Sequence, residues 1–157
     1  MRHVPDLTVT PVRSADRPRW RELFKGYAAF YSVGLVDADC ERVWSWIHDP
    51  AHETRCLVAR DPDGTPFALA HYRAYDSPLR GTSGFLDDLF VDPARRGSGA
   101  ADALLGELAR IAAEEGWATV RWNTAENNYR ARGVYDRHAE RTAFLTYSMA
   151  ALDERST

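Results

Sequence analysis

The stretch from Phe85 to Ala101 leaves a chain of this kind few ways to fold. Phe85 to Val91 is an apolar run interrupted only by Asp87 and Asp88, and it stops before Pro93, which cannot donate to a sheet ladder. That pattern predicts a strand. Arg95, Arg96, Gly97, Ser98, Gly99, Ala100 and Ala101 follow as a turn of small residues, and Ala101, Leu104, Leu105, Leu108, Ile111 and Ala112 then recur at helical spacing up to Gly116, a C-terminal left-handed cap. Ala118 to Thr124 alternates again as a strand. Strand, turn, helix and strand make a βαβ unit whose two strands run parallel, with the turn at the carboxyl end of the first. A helix start carries unpaired N–H donors and partial positive charge, and small residues leave it open to an anion such as phosphate.

The rest of the chain supplies a sheet for this unit to join. Leu7 to Val12 reads as a short edge strand because of Pro11. A helix follows, capped by Ser14 or Asp16, with Pro18 in its first turn and Trp20, Leu23, Phe24, Tyr27 and Tyr31 on one face. Ser32 to Leu35 breaks that face. A second helix starts at Asp37 or Asp39 and stops at His48-Asp49-Pro50, with Cys40, Val43, Trp44 and Ile47 on one side and Trp46 off the stripe. Strands from Arg55 to Ala59 and from about Phe67 to Tyr75 flank the turn at Asp61 to Gly64, and a loop through Ser77-Pro78 and Gly81 to Gly84 leads into the Phe85 strand. After the βαβ unit, a helix is predicted from Glu126 to about His138 and a last strand from Ala143 to Ala150. The first six residues and the tail from Leu152 read as frayed ends of a single domain, 1–157.

Bulk properties narrow the function classes. The 157 residues are 45% hydrophobic, enough for one real core. Twenty basic residues against twenty-three acidic ones give a net charge of −3 with no long basic run, which argues against nucleic acid as a partner. No apolar segment has the length of a signal peptide or a membrane span, so the chain is expected to be cytoplasmic, with no membrane partner. Cys40 and Cys56 stand alone, which reads as two reduced structural thiols and no metal site.

The central turn lacks the lysine of a Walker loop and the three-glycine dinucleotide fingerprint. Arg96-x-x-Gly99-x-Ala101, preceded by Val91-Asp92-Pro93, instead resembles the acetyl-CoA motif of the GNAT N-acetyltransferases, and Asn128-x-x-Ala131-x-x-x-Tyr135 is similar to a second motif of that superfamily, at the expected place one strand later. One departure stands out: the Gly-Phe that commonly follows the tyrosine helix is Ala139-Glu140 here. The resemblance covers roughly Leu7 to Ala150. It implies an α/β (α+β mixed) fold: a mixed, mostly antiparallel sheet with one splayed parallel strand pair, flanked by about four helices. It also implies acetyl-CoA as co-substrate and a primary amine as acceptor. By the same analogy Leu89, Phe90 and Val91 hold the pantetheine and thioester, Arg96, Gly97, Ser98, Gly99, Ala100 and Ala101 hold the pyrophosphate, and Asn128 and Ala131 belong to the same site. Tyr135 matches the proton donor to the leaving thiolate. Arg95 and Arg130 are candidates for steering the phosphates, and His138 for capping its helix.

The chemistry fits those assignments. A fixed backbone N–H stabilises the oxyanion that develops when a thioester is attacked. An alkylammonium with a pKa of about 10.4 is neutral in only about one molecule in two thousand at pH 7, so a proton acceptor helps. Asp87 and Asp88 are the candidates, and because consecutive strand residues face opposite sides only one should reach the acceptor unless a bulge intervenes. The Phe85 to Val91 strand is similar to the acid-acid strand of the spermidine/spermine N-acetyltransferases, and that similarity implies Asp87 as the water-mediated base. It points to a polyamine or diamine acceptor. Phe30, Trp46 and His71 are the candidates for lining the acceptor pocket, with Trp44, Tyr27 and Tyr31 on the helices that wall it in that family. The alternatives are a protein or peptide acetyltransferase of lysine or N-terminal amines, and a non-catalytic acyl-CoA-binding domain. Many relatives of this kind pair as dimers, and by that analogy a homodimer is expected, with the last strand as its interface.

Overall fold

A computed structural model describes residues 6–153. The chain runs β1 (Thr8–Pro11), a 3-10 turn (Ser14–Asp16), α1 (Arg17–Phe30), α2 (Asp37–His48), β2 (Arg55–Arg60), β3 (Pro66–Ser77), β4 (Gly81–Val91), a 3-10 turn (Pro93–Arg95), α3 (Ala100–Glu115), β5 (Val120–Arg121) and α4 (Tyr129–His138). The strands form one sheet in the order β1-β2-β3-β4-β5, antiparallel throughout except for the parallel pair β4 and β5. This is the mixed sheet with four helices that the sequence implies.

Alternation along the strands sends apolar side chains to both faces, so the sheet is covered twice. On one face Leu57, Ala70, Tyr72 and Leu86 pack under Leu104, Leu105 and Leu108 of α3. On the other Val58, Leu69 and Phe90 pack under Trp20, Leu23 and Phe24 of α1 and Cys40 and Val43 of α2. Both cysteines are free and buried. The stripes read on α1, α2 and α3 are the ones packed against the sheet, except that Tyr31 lies past the end of α1 and is exposed, and Gly116 takes the left-handed conformation (φ 71°) that ends α3.

Three boundaries differ from the sequence reading, each through tertiary pairing. The segment Gly81 to Gly84, read as loop, belongs to β4, because β3 extends to Ser77 and pairs with it down to Gly81, whose positive φ of 78° makes the turn. β5 shrinks to Val120–Arg121, opposite Gly84 and Phe85 alone. The strand read from Ala143 to Ala150 does not form: residues 140–153 hold neither helix nor strand and are exposed, and none of the described strands pairs with 143–150. The frayed ends read in the sequence fall almost wholly outside the described residues. No helix among the described residues is long and apolar enough to cross a membrane.

One buried ion pair ties the amino-terminal strand to the sheet. Arg60, which the sequence reading left out of β2, donates to both carboxylate oxygens of Asp16 at 2.7 and 2.6 Å and also to Thr10 Oγ1 and the Gly64 carbonyl. Burial raises the Asp16 pKa, but the hydrogen bonds from Arg60 and from the Arg13 backbone, together with the Arg60 charge, outweigh it and hold the carboxyl below its ordinary value.

Candidate active site

Two features of β4 create the site. β4 and β5 pair only at Gly84 and Phe85, and beyond that point they diverge, leaving one edge of β4 unpaired from Leu86 to Val91. The junction is tight: Gly84 donates to the Thr119 carbonyl at 2.8 Å, and a Cβ on Gly84 would lie 2.5 Å from the Trp117 ring. The second feature is a bulge. His71 faces Asp88 but Tyr72 faces Leu86, so Asp87 is an extra residue in β4.

The bulge has two consequences. It resets the alternation, so Asp87 and Asp88 line the same cavity on the α1/α2 side of the sheet, while Leu86 and Leu89 both pack toward α3. It also turns the backbone. Gly84 N–H points toward β5, whereas Asp92 N–H donates to the Phe67 carbonyl on the β3 side at 2.9 Å. Counting back by alternation from Asp92, the N–H groups of Leu89 and Val91 point into the cleft opened by the splay.

That cleft is a cavity of about 580 Å³ bounded by Leu89 to Val91, the turn from Arg96 to Asp102, and Asn128, Ala131 and Tyr135 of the α4 region, with Tyr27 and Phe30 closing the α1 side. The turn is built as an anion cradle. Gly97 and Gly99 have φ of 81° and 83°, a region that other residues rarely adopt, and α3 starts with no side-chain cap on its N–H groups. The Ser98 hydroxyl is buried without a hydrogen-bond partner. A diphosphate fits this donor set, with the backbone of the turn, Ser98 Oγ and Arg96 to hold it. Asp102, in the first turn of α3, would oppose an anion, but Arg137 at 2.9 Å and His138 at 2.8 Å pair with it. Asn128 Oδ1 caps α4 by accepting from the Ala131 N–H.

Tyr135 projects from α4 into the same cavity, its ring packed on Trp122 at 5.4 Å. Burial, with a smaller contribution from Tyr31, pushes its pKa up to about 12, so the phenol keeps its proton across the neutral range. Phe30, expected in the acceptor pocket, lines this cavity instead, with the Arg96 guanidinium 5.9 Å from its ring. Arg130 also lines it, whereas Arg95 is held away by an ion pair with Asp61 and by the Phe67 ring.

A second cavity of about 430 Å³ lies on the α1/α2 side and gathers Asp87, Asp88, Glu53, Arg73, His71 and Trp46. Trp46 stacks flat on His52 at 4.9 Å, an arrangement its place off the α2 stripe allows. Asp87 pairs with Arg73 at 3.0 Å, yet burial raises its pKa above the ordinary carboxylate value in spite of that partner. Asp88 is tied differently. It accepts from His71 Nδ1 at 2.9 Å, and it neighbours Tyr27, whose pKa rises through burial and then through this carboxylate. Tyr27 lines the first cavity and Asp88 the second, so this contact is the wall between them.

His71 is fully buried at the back of that wall. Burial works against a charge on its ring while Cys56 and Asp88 favour one, raising its pKa to about 10. The indole N–H of Trp20 nevertheless points at His71 Nε2 at 2.9 Å, which requires a lone pair there. We therefore assign a neutral ring with its proton on Nδ1, donated to Asp88.

The residues that sequence reasoning missed are Glu53 and Arg73 in the second cavity and Arg137 in the first. Arg73 carried a legible signal, a charge two residues from His71 and so on the same face of a strand. Glu53 sits in a connecting loop, and nothing local marks it.

A family model for the acetyltransferase (GNAT) family matches residues 19–139. Among solved structures, the ribosomal-protein-alanine N-acetyltransferase from Brucella melitensis biovar Abortus 2308 is 22% identical, with 92% of this chain and 99% of that chain covered at a TM-score of 0.76. A probable acetyltransferase is 20% identical over 94% of this chain and 99% of its own, with a TM-score of 0.80. An aminoglycoside acetyltransferase from an uncultured soil metagenomic sample is 15% identical over 93% and 97%, with a TM-score of 0.75. Identities this low speak for the fold and not for the acceptor.

Proposed function

Because the chain belongs to the acetyltransferase (GNAT) family and is an acetyl-CoA-dependent N-acetyltransferase, we propose that its acceptor is a small di- or polycationic amine, bound in the second cavity. The observation that carries this reading is the charge of that cavity: Asp87, Asp88 and Glu53 face it against Arg73 alone, with the Trp46 ring beside them. A cationic chain finds carboxylates and an aromatic face there.

Acetyl-CoA supplies the activated acetyl group as a thioester. The chain's own residues do the rest. Leu89 and Val91 present N–H groups that favour negative charge on a carbonyl oxygen in the splay, and the Arg96 to Ala101 cradle holds phosphate. Asp87, with its raised pKa and its place on the acceptor side, takes the proton that an ammonium must lose before its nitrogen can attack. Tyr135 holds a proton at its hydroxyl for the departing sulfur. Asp88 is a positioning residue in this scheme, orienting Tyr27 and accepting from His71.

Thiol release from acetyl-CoA, followed across diamines, polyamines, aminoglycosides, free amino acids and peptides with an N-terminal alanine or an internal lysine, tests the proposal. The highest kcat/KM should fall on diamines or polyamines. Turnover confined to peptides would replace this reading with peptide acetylation. Binding of acetyl-CoA without turnover of any amine would make the chain a binding module.

A further inference from the structure

Arg73 is a positive charge inside a cavity proposed for a cation, and no step of the acetyl transfer uses it. Its place is fixed by the sheet. Arg73 on β3 stands opposite Phe85 on β4, so the two side chains are cross-strand neighbours, and the guanidinium lies 5.1 Å from the Phe85 ring. Its Nε donates to both carboxylate oxygens of Asp87, the bulged residue, at 3.0 and 3.3 Å. Because both bonds come from that one nitrogen, Asp87 does not engage the two-pronged end of the guanidinium, where Glu53 stands 3.9 Å from Nη1. Only 33% of the side chain is exposed. A charge held by a ring and a carboxylate in this way cannot leave the cavity without giving up both contacts.

The guanidinium changes the charge that an acceptor meets. Asp87, Asp88 and Glu53 line the cavity, and with the histidines counted neutral Arg73 reduces three negative charges to two. An acceptor with two ammonium groups cancels that charge. A third ammonium is in excess of it and shares the cavity with a fixed charge of its own sign. Like charges a few ångström apart in a half-buried site repel enough to change binding by about 10-fold or more. Arg73 therefore weakens every cation, and the penalty grows with each charge added to the chain. Among acceptors that present the same reacting end, a repulsive element of this kind is what separates one from another.

We propose that Arg73 is a specificity-determining residue that limits the acceptor to a dication, a linear diamine, and turns away triamines and tetraamines. The proposal rests on the reading of the second cavity as the acceptor site. Within that reading it assigns the choice among cationic amines to one side chain, whose place follows from the register of β3 against β4.

The test compares a linear diamine and a linear tetraamine of equal backbone length by their kcat/KM in thiol release from acetyl-CoA. Equal length leaves charge as the difference between them, and because one base serves both, a change in Asp87 ionisation cancels in the ratio. The wild type should favour the diamine by about 10-fold or more. Arg73→Met, which keeps an unbranched apolar stem against Phe85, should reduce that ratio by about 10-fold, while Arg73→Lys, which keeps the charge, should leave it within about threefold. The wild-type ratio should also shrink at high salt, because the guanidinium is partly exposed, and this readout needs no variant to fold. A tetraamine used as well as the diamine would overturn the proposal, as would a preference that survives Arg73→Met or that salt does not weaken. Arg73→Lys behaving like Arg73→Met would overturn it too, since the charge would then not be the agent. Failure of the acceptor reading looks different: wild type and variants alike release no thiol with either amine, and the inference falls with the reading that it rests on.

Discussion

The two adjacent carboxylates show how far side-chain chemistry depends on position. Asp87 and Asp88 sit next to each other in one strand and line one cavity, yet one faces Arg73 and the other a neutral imidazole and a tyrosine. A base must be deprotonated to act, so activity should fall as pH falls through the raised pKa of Asp87. Asp87→Asn is expected to lower kcat by about 100-fold near neutral pH and to move the acid limb of the profile upward, toward the pKa of the free amine. Asp88→Asn should leave the position of that limb unchanged while raising the KM for the amine; a pH-rate profile of both variants decides between them, and a shift in Asp88→Asn alone would exchange their roles. At Tyr135 the phenol is protonated throughout this range. Tyr135→Phe should cut kcat by about 100-fold or more while the Kd for acetyl-CoA, measured by calorimetry, stays within about threefold.

At the scale of elements, the proposed active cleft exists because β4 and β5 meet and then part. Gly84 is where they meet, with the Trp117 ring packed where a side chain would be. Gly84→Ala brings a methyl to within 2.5 Å of that ring and should destabilise the fold by about 1–3 kcal/mol, read as a lower Tm. Because the junction sets the divergence of the two strands, the variant should also raise the KM for acetyl-CoA. Much of this arrangement was legible. The glycine turn, the helix after it and the Asn128 to Tyr135 spacing place the proposed phosphate cradle and the phenol on neighbouring elements with local rules alone. The bulge at Asp87 was not, because it arises from the register of β4 against β3, and register is a property of two strands. For the same reason the length of β4 and the brevity of β5 escaped a reading of each segment by itself.

For the molecule as a whole, stability concentrates in contacts between segments distant in sequence. The Asp16–Arg60 pair is buried, so Asp16→Asn leaves an uncompensated guanidinium and should cost about 3–5 kcal/mol in chemical denaturation. The Asp16 pKa is depressed in the fold, so its contribution is present above the unfolded value of about 3.9 and is lost as pH falls through the folded one. The wild type should therefore lose stability on acidification where Asp16→Asn has none of this increment left to lose, a difference that denaturation midpoints between about pH 5 and pH 2 would display. By itself the sequence determined the order of elements as far as α4, most of the packed stripes, the glycine turn at the start of α3 and the place of Tyr135 on α4, because capping, periodicity and turn chemistry act over a few residues. Only the tertiary structure decided that both acids share one cavity, that Phe30 belongs to the other, and that the last strand-like segment pairs with no other strand among the described residues. Those outcomes depend on strand register, on the divergence of β4 from β5 and on which edges remain open, and each of these is set by surfaces that meet only once the chain has folded.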